Sequence, residues 1–105
     1  MVRRRAFTMR LKRGFEAEYQ KRHDEILPEL SALLKAAGIR DYSIFLDRKS
    51  GTLFAVQKLV DDNTTDDLPN HPIMKRWWAY MADIMETNPD NSPATQPLDE
   101  VFHTD

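Results

Sequence analysis

A tyrosine and a histidine one helical turn apart, Tyr19 and His23, are the residues of this sequence best suited to chemistry. Tyr19, His23, Ile26, Leu27, Leu30, Leu33, Leu34 and Ala37 recur at steps of three and four, so they project from one side of a helix. That side must be buried. The opposite side carries Gln20, Lys21, Asp24, Glu25 and Lys35 and reads as solvated. An imidazole that exchanges a proton near neutral pH therefore points to the interior or to a cleft, with a phenol beside it that can donate to a ligand oxygen or orient the ring. A core histidine satisfied by a backbone carbonyl competes evenly with that reading.

Aromatic residues elsewhere could complete a site. Trp77 and Trp78 are adjacent on a second helical segment, where successive residues diverge by about 100°. Either one ring fills the core while the other lines a pocket, or both straddle a cleft edge; flat aromatic faces stack well on the C–H faces of sugars. Tyr42 opens a strand just after the first helix and could bring a hydroxyl to the same place. Asp83 could supply a carboxylate. His71 adjoins a helix start and His103 lies in the last three residues. Three separated histidines without H-x-H or H-E-x-x-H spacing make a poor metal site. With no cysteine, thiolate chemistry and disulfides are excluded, and three glycines supply no phosphate-binding loop.

The elements that must position these groups follow from pattern. Ala6–Leu11 alternates as a strand, with Phe7, Met9 and Leu11 on one face. A long helix is expected from about Phe15 to Ala37, kinked near Asp24 by Pro28 and closed by Gly38. Tyr42–Asp47 and Thr52–Val60 flank Arg48-Lys49-Ser50-Gly51 as a hairpin. Leu53-Phe54-Ala55-Val56 is apolar on both faces, so both faces should be covered. Asp61–Asn70 reads as a loop or short helical turn. Pro72 starts a helix over Ile73–Met85 whose inner stripe is Ile73, Trp77, Tyr80, Met81 and Ile84. Leu98–Phe102 could add a last short strand. The order strand, helix, strand, strand, helix, strand is the ferredoxin-like split βαβ arrangement of the α+β class: an antiparallel sheet with two helices on one face. The open face suits a homodimer of the dimeric α/β-barrel type.

The totals agree with one domain over residues 1–105: 41% hydrophobic and 30% charged residues, and a net charge of −2. That charge gives no reason to expect a nucleic acid or an anionic membrane as partner. Arg3-Arg4-Arg5 is the only basic run and reads as the solvated entry to the first strand. Without an apolar leader or a membrane-length run, a cytoplasmic protein is expected.

Four segments, in order, carry a resemblance over essentially the whole chain: Glu18-Tyr19-Gln20-Lys21-Arg22-His23 with Pro28-Glu29-Leu30; Tyr42-Ser43-Ile44-Phe45-Leu46-Asp47; Arg76-Trp77-Trp78-Ala79-Tyr80-Met81; and Asn88-Pro89-Asp90-Asn91-Ser92-Pro93. In these the sequence resembles the L-rhamnose mutarotases. The resemblance implies a ferredoxin-like homodimer, an isomerase that interconverts the α and β anomers of L-rhamnopyranose, and no metal or organic cofactor. It makes His23 the proton donor and Tyr19, Tyr42, Trp77 and Trp78 the sugar-binding residues. The chain departs from the pattern at Leu27, where many members carry tryptophan, and over Asp61–Asn70. Changing anomers needs a proton taken from the anomeric hydroxyl and another given to the ring oxygen. His23 suits the second task. Water, a carboxylate such as Asp83, or the same histidine at another moment is open for the first. The rival readings are a non-catalytic sugar-binding dimer and a cofactor-independent monooxygenase or haem-binding protein on the same scaffold.

Overall fold

A computed structural model describes residues 3–105. The elements are β1 (Arg3–Arg10), α1 (Glu16–Asp24), α2 (Pro28–Ala36), β2 (Ile39–Asp47), β3 (Thr52–Leu59), a 3₁₀ turn (Thr65–Asn70), α3 (Pro72–Met81) running into a second 3₁₀ turn (Ala82–Ile84), and β4 (Gln96–Leu98). The four strands form one sheet in the order β2-β3-β1-β4, and every pairing is antiparallel. This is the expected α+β, ferredoxin-like arrangement.

The expected single kinked helix is instead two helices. Leu27 is extended, with ψ 133°, because the ring of Pro28 clashes with a helical residue before it; Pro28 then opens α2 as its first residue. His23 thereby falls in the last turn of α1 rather than at mid-helix. Gly38 follows α2 with φ +99°, and a Cβ there would come within 2.7 Å of both Val60 and Asn63. Only glycine satisfies both the left-handed backbone and that close approach.

Alternation along β3 sets the two faces of the sheet. Leu53, Ala55, Gln57 and Leu59 are buried, and Met9 and Ala55 join Tyr19, Met81 and Ile84 in the core. Phe54 and Val56 point the other way and, with Phe45 and Leu98, stay exposed on the open face. Among the described residues no helix covers that second face, the one for which the sequence left cover to another subunit. The inner stripe of α3 also differs from expectation. Met74, Met81 and Ile84 are its buried residues, whereas Tyr80 is 53% exposed, so the buried stripe runs one residue out of the expected phase within α3 itself. The basic run lies within β1 rather than before it: Arg4 pairs with Glu100 at 2.8 Å, and Arg5 turns inward. The last strand is Gln96–Leu98, so of the expected Leu98–Phe102 strand only Leu98 is extended into the sheet.

Candidate active site

One cleft of about 1090 Å³ opens between the helices and the inner face of the sheet, and Tyr19, His23, Tyr42, Trp77 and Trp78 all line it. The five sequence-predicted site residues thus come together from α1, β2 and α3. Of the two alternatives for the tryptophans, both line the cleft, with Trp77 also packed on the core.

His23 is fixed on three sides. Its Nδ1 lies 3.0 Å from the Tyr19 carbonyl, its ring stacks on the Tyr19 phenol at 4.2 Å, and the Trp77 indole meets it edge-on at 5.2 Å. A carbonyl oxygen only accepts, so Nδ1 carries the proton and neutral His23 presents the lone pair of Nε2. No protein group among the described residues bonds Nε2. Burial lowers the His23 pKa below its usual 6.5, against the raising effects of the Tyr19 carbonyl and of Asp24. The imidazole is therefore neutral at pH 7 and is a base facing the cleft. The same side chain is bonded to a backbone carbonyl, as a core histidine would be, and lines the cleft.

The phenols stay protonated. Burial raises the pKa of Tyr19, and the nearby Tyr42 raises it further. Burial raises that of Tyr42 as well, while Gln57 and Arg5 oppose the shift. Both rings serve as neutral hydrogen-bonding groups.

Behind the histidine, Arg22 holds α1 to the end of α3. It donates to Glu18 (2.8 Å), to the Tyr80 carbonyl (2.7 Å) and to both oxygens of Asp83 (2.8 and 3.2 Å), with its guanidinium 4.4 Å from the centre of the Tyr80 ring. Asp83 is thus committed to Arg22, which lowers its pKa, and it does not line the cleft. This removes it from the possible bases for the anomeric hydroxyl. Arg22 itself was not among the expected residues; the Glu18–Arg22 spacing of one turn was its only signal.

The remaining candidates stand apart. His71 caps α3, its Nδ1 accepting from the Ile73 amide at 3.2 Å, and His103 faces Asp105 at 2.8 Å. Among the described residues no three His, Asp or Glu side chains converge on a possible metal position. Leu27 is half-exposed and outside the cleft, whereas Thr65, Leu68 and Pro69 of the departing loop line it. No helix among the described residues is long and apolar enough to cross a membrane.

Similarity to known proteins bears on the family of the chain. A family model of L-rhamnose mutarotase matches residues 4–104. An L-rhamnose mutarotase from Flavobacterium johnsoniae is 61% identical over 97% of this chain and 95% of its own length. One from Bacteroides thetaiotaomicron is 56% identical over 99% of this chain and all of its own length. The crystal structure of an L-rhamnose mutarotase from Formosa agariphila superposes with a TM-score of 0.92 at 50% identity, covering 98% of this chain and 99% of that one. The chain belongs to the L-rhamnose mutarotase family.

Proposed function

We propose that the cleft binds L-rhamnose in its pyranose form and that His23 interconverts the α and β anomers by opening and reclosing the ring. The observation that carries this reading is the imidazole itself: Nδ1 is tied to the Tyr19 carbonyl, so a neutral Nε2 faces the cleft as a base. In the forward half, Nε2 takes the proton of the anomeric hydroxyl as the C1–O bond to the ring oxygen breaks and C1 becomes an aldehyde. The imidazolium then gives that proton to the former ring oxygen. Both oxygens are bonded to the same carbon, so one nitrogen can reach each in turn. Rotation about C1–C2 presents the other aldehyde face, and the same two transfers in reverse close the ring. Atoms and charge balance without a redox partner.

The surrounding groups fit this chemistry. Trp77 and Trp78 offer aromatic faces to sugar C–H bonds, and Tyr19 and Tyr42 remain protonated phenols for sugar oxygens. Burial that keeps His23 neutral at rest also favours return of its proton, so the imidazolium is short-lived. The test is saturation-transfer NMR on L-rhamnose with catalytic amounts of protein. Faster exchange between the anomer signals is expected. Quenching of tryptophan fluorescence by the sugar without faster exchange would instead mean a sugar-binding module.

We also read the open face, with Phe45, Phe54, Val56 and Leu98 exposed, as the seat of a second copy. A role in rhamnose catabolism implies a cytoplasmic location. Sedimentation at micromolar concentration should give a dimer, and monomer alone would contradict it.

A further inference from the structure

The helix that carries His23 has little of its own to hold it in place. α1 is nine residues long, has no side-chain cap at its N-terminus and buries one residue, Tyr19. A helix that short is marginal in water and takes its position from tertiary contacts. The connection that follows adds little, since Glu25 and Leu27 are exposed. In the last turn of α1, the contacts to α3 come from the adjacent side chains of Arg22 and His23.

Their partners on α3 are themselves neighbours, one turn apart. His23 meets the Trp77 ring at 5.2 Å, Arg22 lies 4.4 Å from the centre of the Tyr80 ring, and the Trp77 and Tyr80 rings are 5.9 Å apart. Two adjacent residues of one helix and two of the other thus close a ring of contacts. Asp83 fastens it, accepting from Nη1 and Nη2 of Arg22 at 2.8 and 3.2 Å, while Glu18 accepts from Nε at 2.8 Å. A bidentate pair fixes the plane of the guanidinium as well as its distance. Arg22 also donates to the Tyr80 carbonyl at 2.7 Å, near the end of α3. A helix C-terminus favours a cation, and the last turn of α3 has no basic residue of its own.

We propose that Arg22, latched to Asp83 and to the Tyr80 carbonyl, is a positioning residue that sets the imidazole of His23 against Trp77 and keeps it shielded from water. The inference rests on the mutarotase reading above for the role of His23, and it names the residues that hold that group in place.

Asp83→Asn is the first test, because Asp83 is exposed and outside the cleft, so the change touches neither the core nor the sugar. The kcat for anomer exchange should fall about tenfold while KM moves less than about twofold, since a small misplacement of a reacting group is costly. Arg22→Met keeps the length and loses every donor, and should cut kcat about 30-fold or more. Adding Asp83→Asn to it should cost less than about twofold further, because the two act as one unit. Arg22→Lys should recover part of the loss through a single ion pair.

The titration of His23, followed by NMR of its C2 proton and assigned by its loss in His23→Ala, separates a latch from a plain charge effect and needs no activity. In Asp83→Asn the groups beside the ring are unchanged: Tyr19 and Asp24 on α1, and on α3 the uncharged indole of Trp77. Loss of the Asp83 charge alone would lower the His23 pKa, whereas loosening the latch admits water and raises it. A rise towards 6.5 is expected. A fall or no change in that titration, or an unchanged kcat in both Asp83→Asn and Arg22→Met, would overturn the proposal. The two readings fail separately: absent anomer exchange in the wild-type protein removes the mutarotase reading, whereas normal exchange with an unmoved titration in Asp83→Asn removes only the latch.

Discussion

The two sides of the cleft are built differently. On the helix side, Tyr19, His23 and Trp77 form a wall of rings held by stacking, and its basic group is the Nε2 of a neutral imidazole. On the strand side, Arg5 and Gln57 form a hydrogen-bonded rung beside Tyr42, and all three line the cleft. Apolar surroundings suit a group that must shed a proton as readily as it gains one, because they penalise its charged form. A directed polar chain suits a group that must hold an oxygen in one place. In this account the wall moves protons and the rung grips the sugar.

Substitutions should separate the two. His23→Ala should cut kcat by about 10²- to 10⁴-fold while the affinity for rhamnose, read by tryptophan fluorescence, changes only a few-fold. Trp77→Ala belongs to both roles, since the indole lines the cleft and abuts the imidazole. It should raise KM by about tenfold or more and lower kcat as well. Tyr42→Phe should act in KM alone, by about tenfold, because only the grip is lost. Were it to abolish turnover instead, the division of labour would be wrong. Tyr19→Phe should be milder, since the His23 Nδ1 is held by the Tyr19 backbone and the stacking ring survives.

The smallest expected effect is on stability. The His23 pKa is lower in the folded protein than the ordinary 6.5, so the unfolded chain binds this proton more readily. The contribution of neutral His23 to stability is complete above pH 6.5 and is lost as pH falls from there through its folded value. Melting temperatures measured downward from pH 7.5 should therefore fall less in His23→Phe than in the wild type over that window. Equal slopes would mean that the imidazole is not buried enough to matter.

The helix side was legible in the sequence because its parts are local. Tyr19 and His23 are one turn apart, and the adjacent Trp77 and Trp78 advertise themselves. Pro28 was legible too, but a kink is not its effect here: the residue before a proline is driven extended, and at Leu27 this ends the helix rather than bending it. The strand side was harder to see. Gln57 is a polar residue at an inward position among Leu53, Ala55 and Leu59, and Arg5 shares the parity of Phe7 and Met9, which together were the available signal. Their meeting depends on strand register, and Tyr42 joins them only through a bulge that no local pattern encodes. Arg22 shows the same limit: Glu18 is a neighbour in sequence, whereas Asp83 comes to it only through the fold.

The central claim is that one imidazole, neutral at rest, first takes the anomeric proton and then returns it to the ring oxygen. The pH dependence of kcat for rhamnose anomer exchange tests this most directly. The account predicts a single ionisation, with half-maximal rate below pH 6.5, and a plateau from neutrality to about pH 9 that His23→Ala eliminates. A rate that climbs as His23 becomes protonated, or a bell whose alkaline limb persists in His23→Ala, would contradict it.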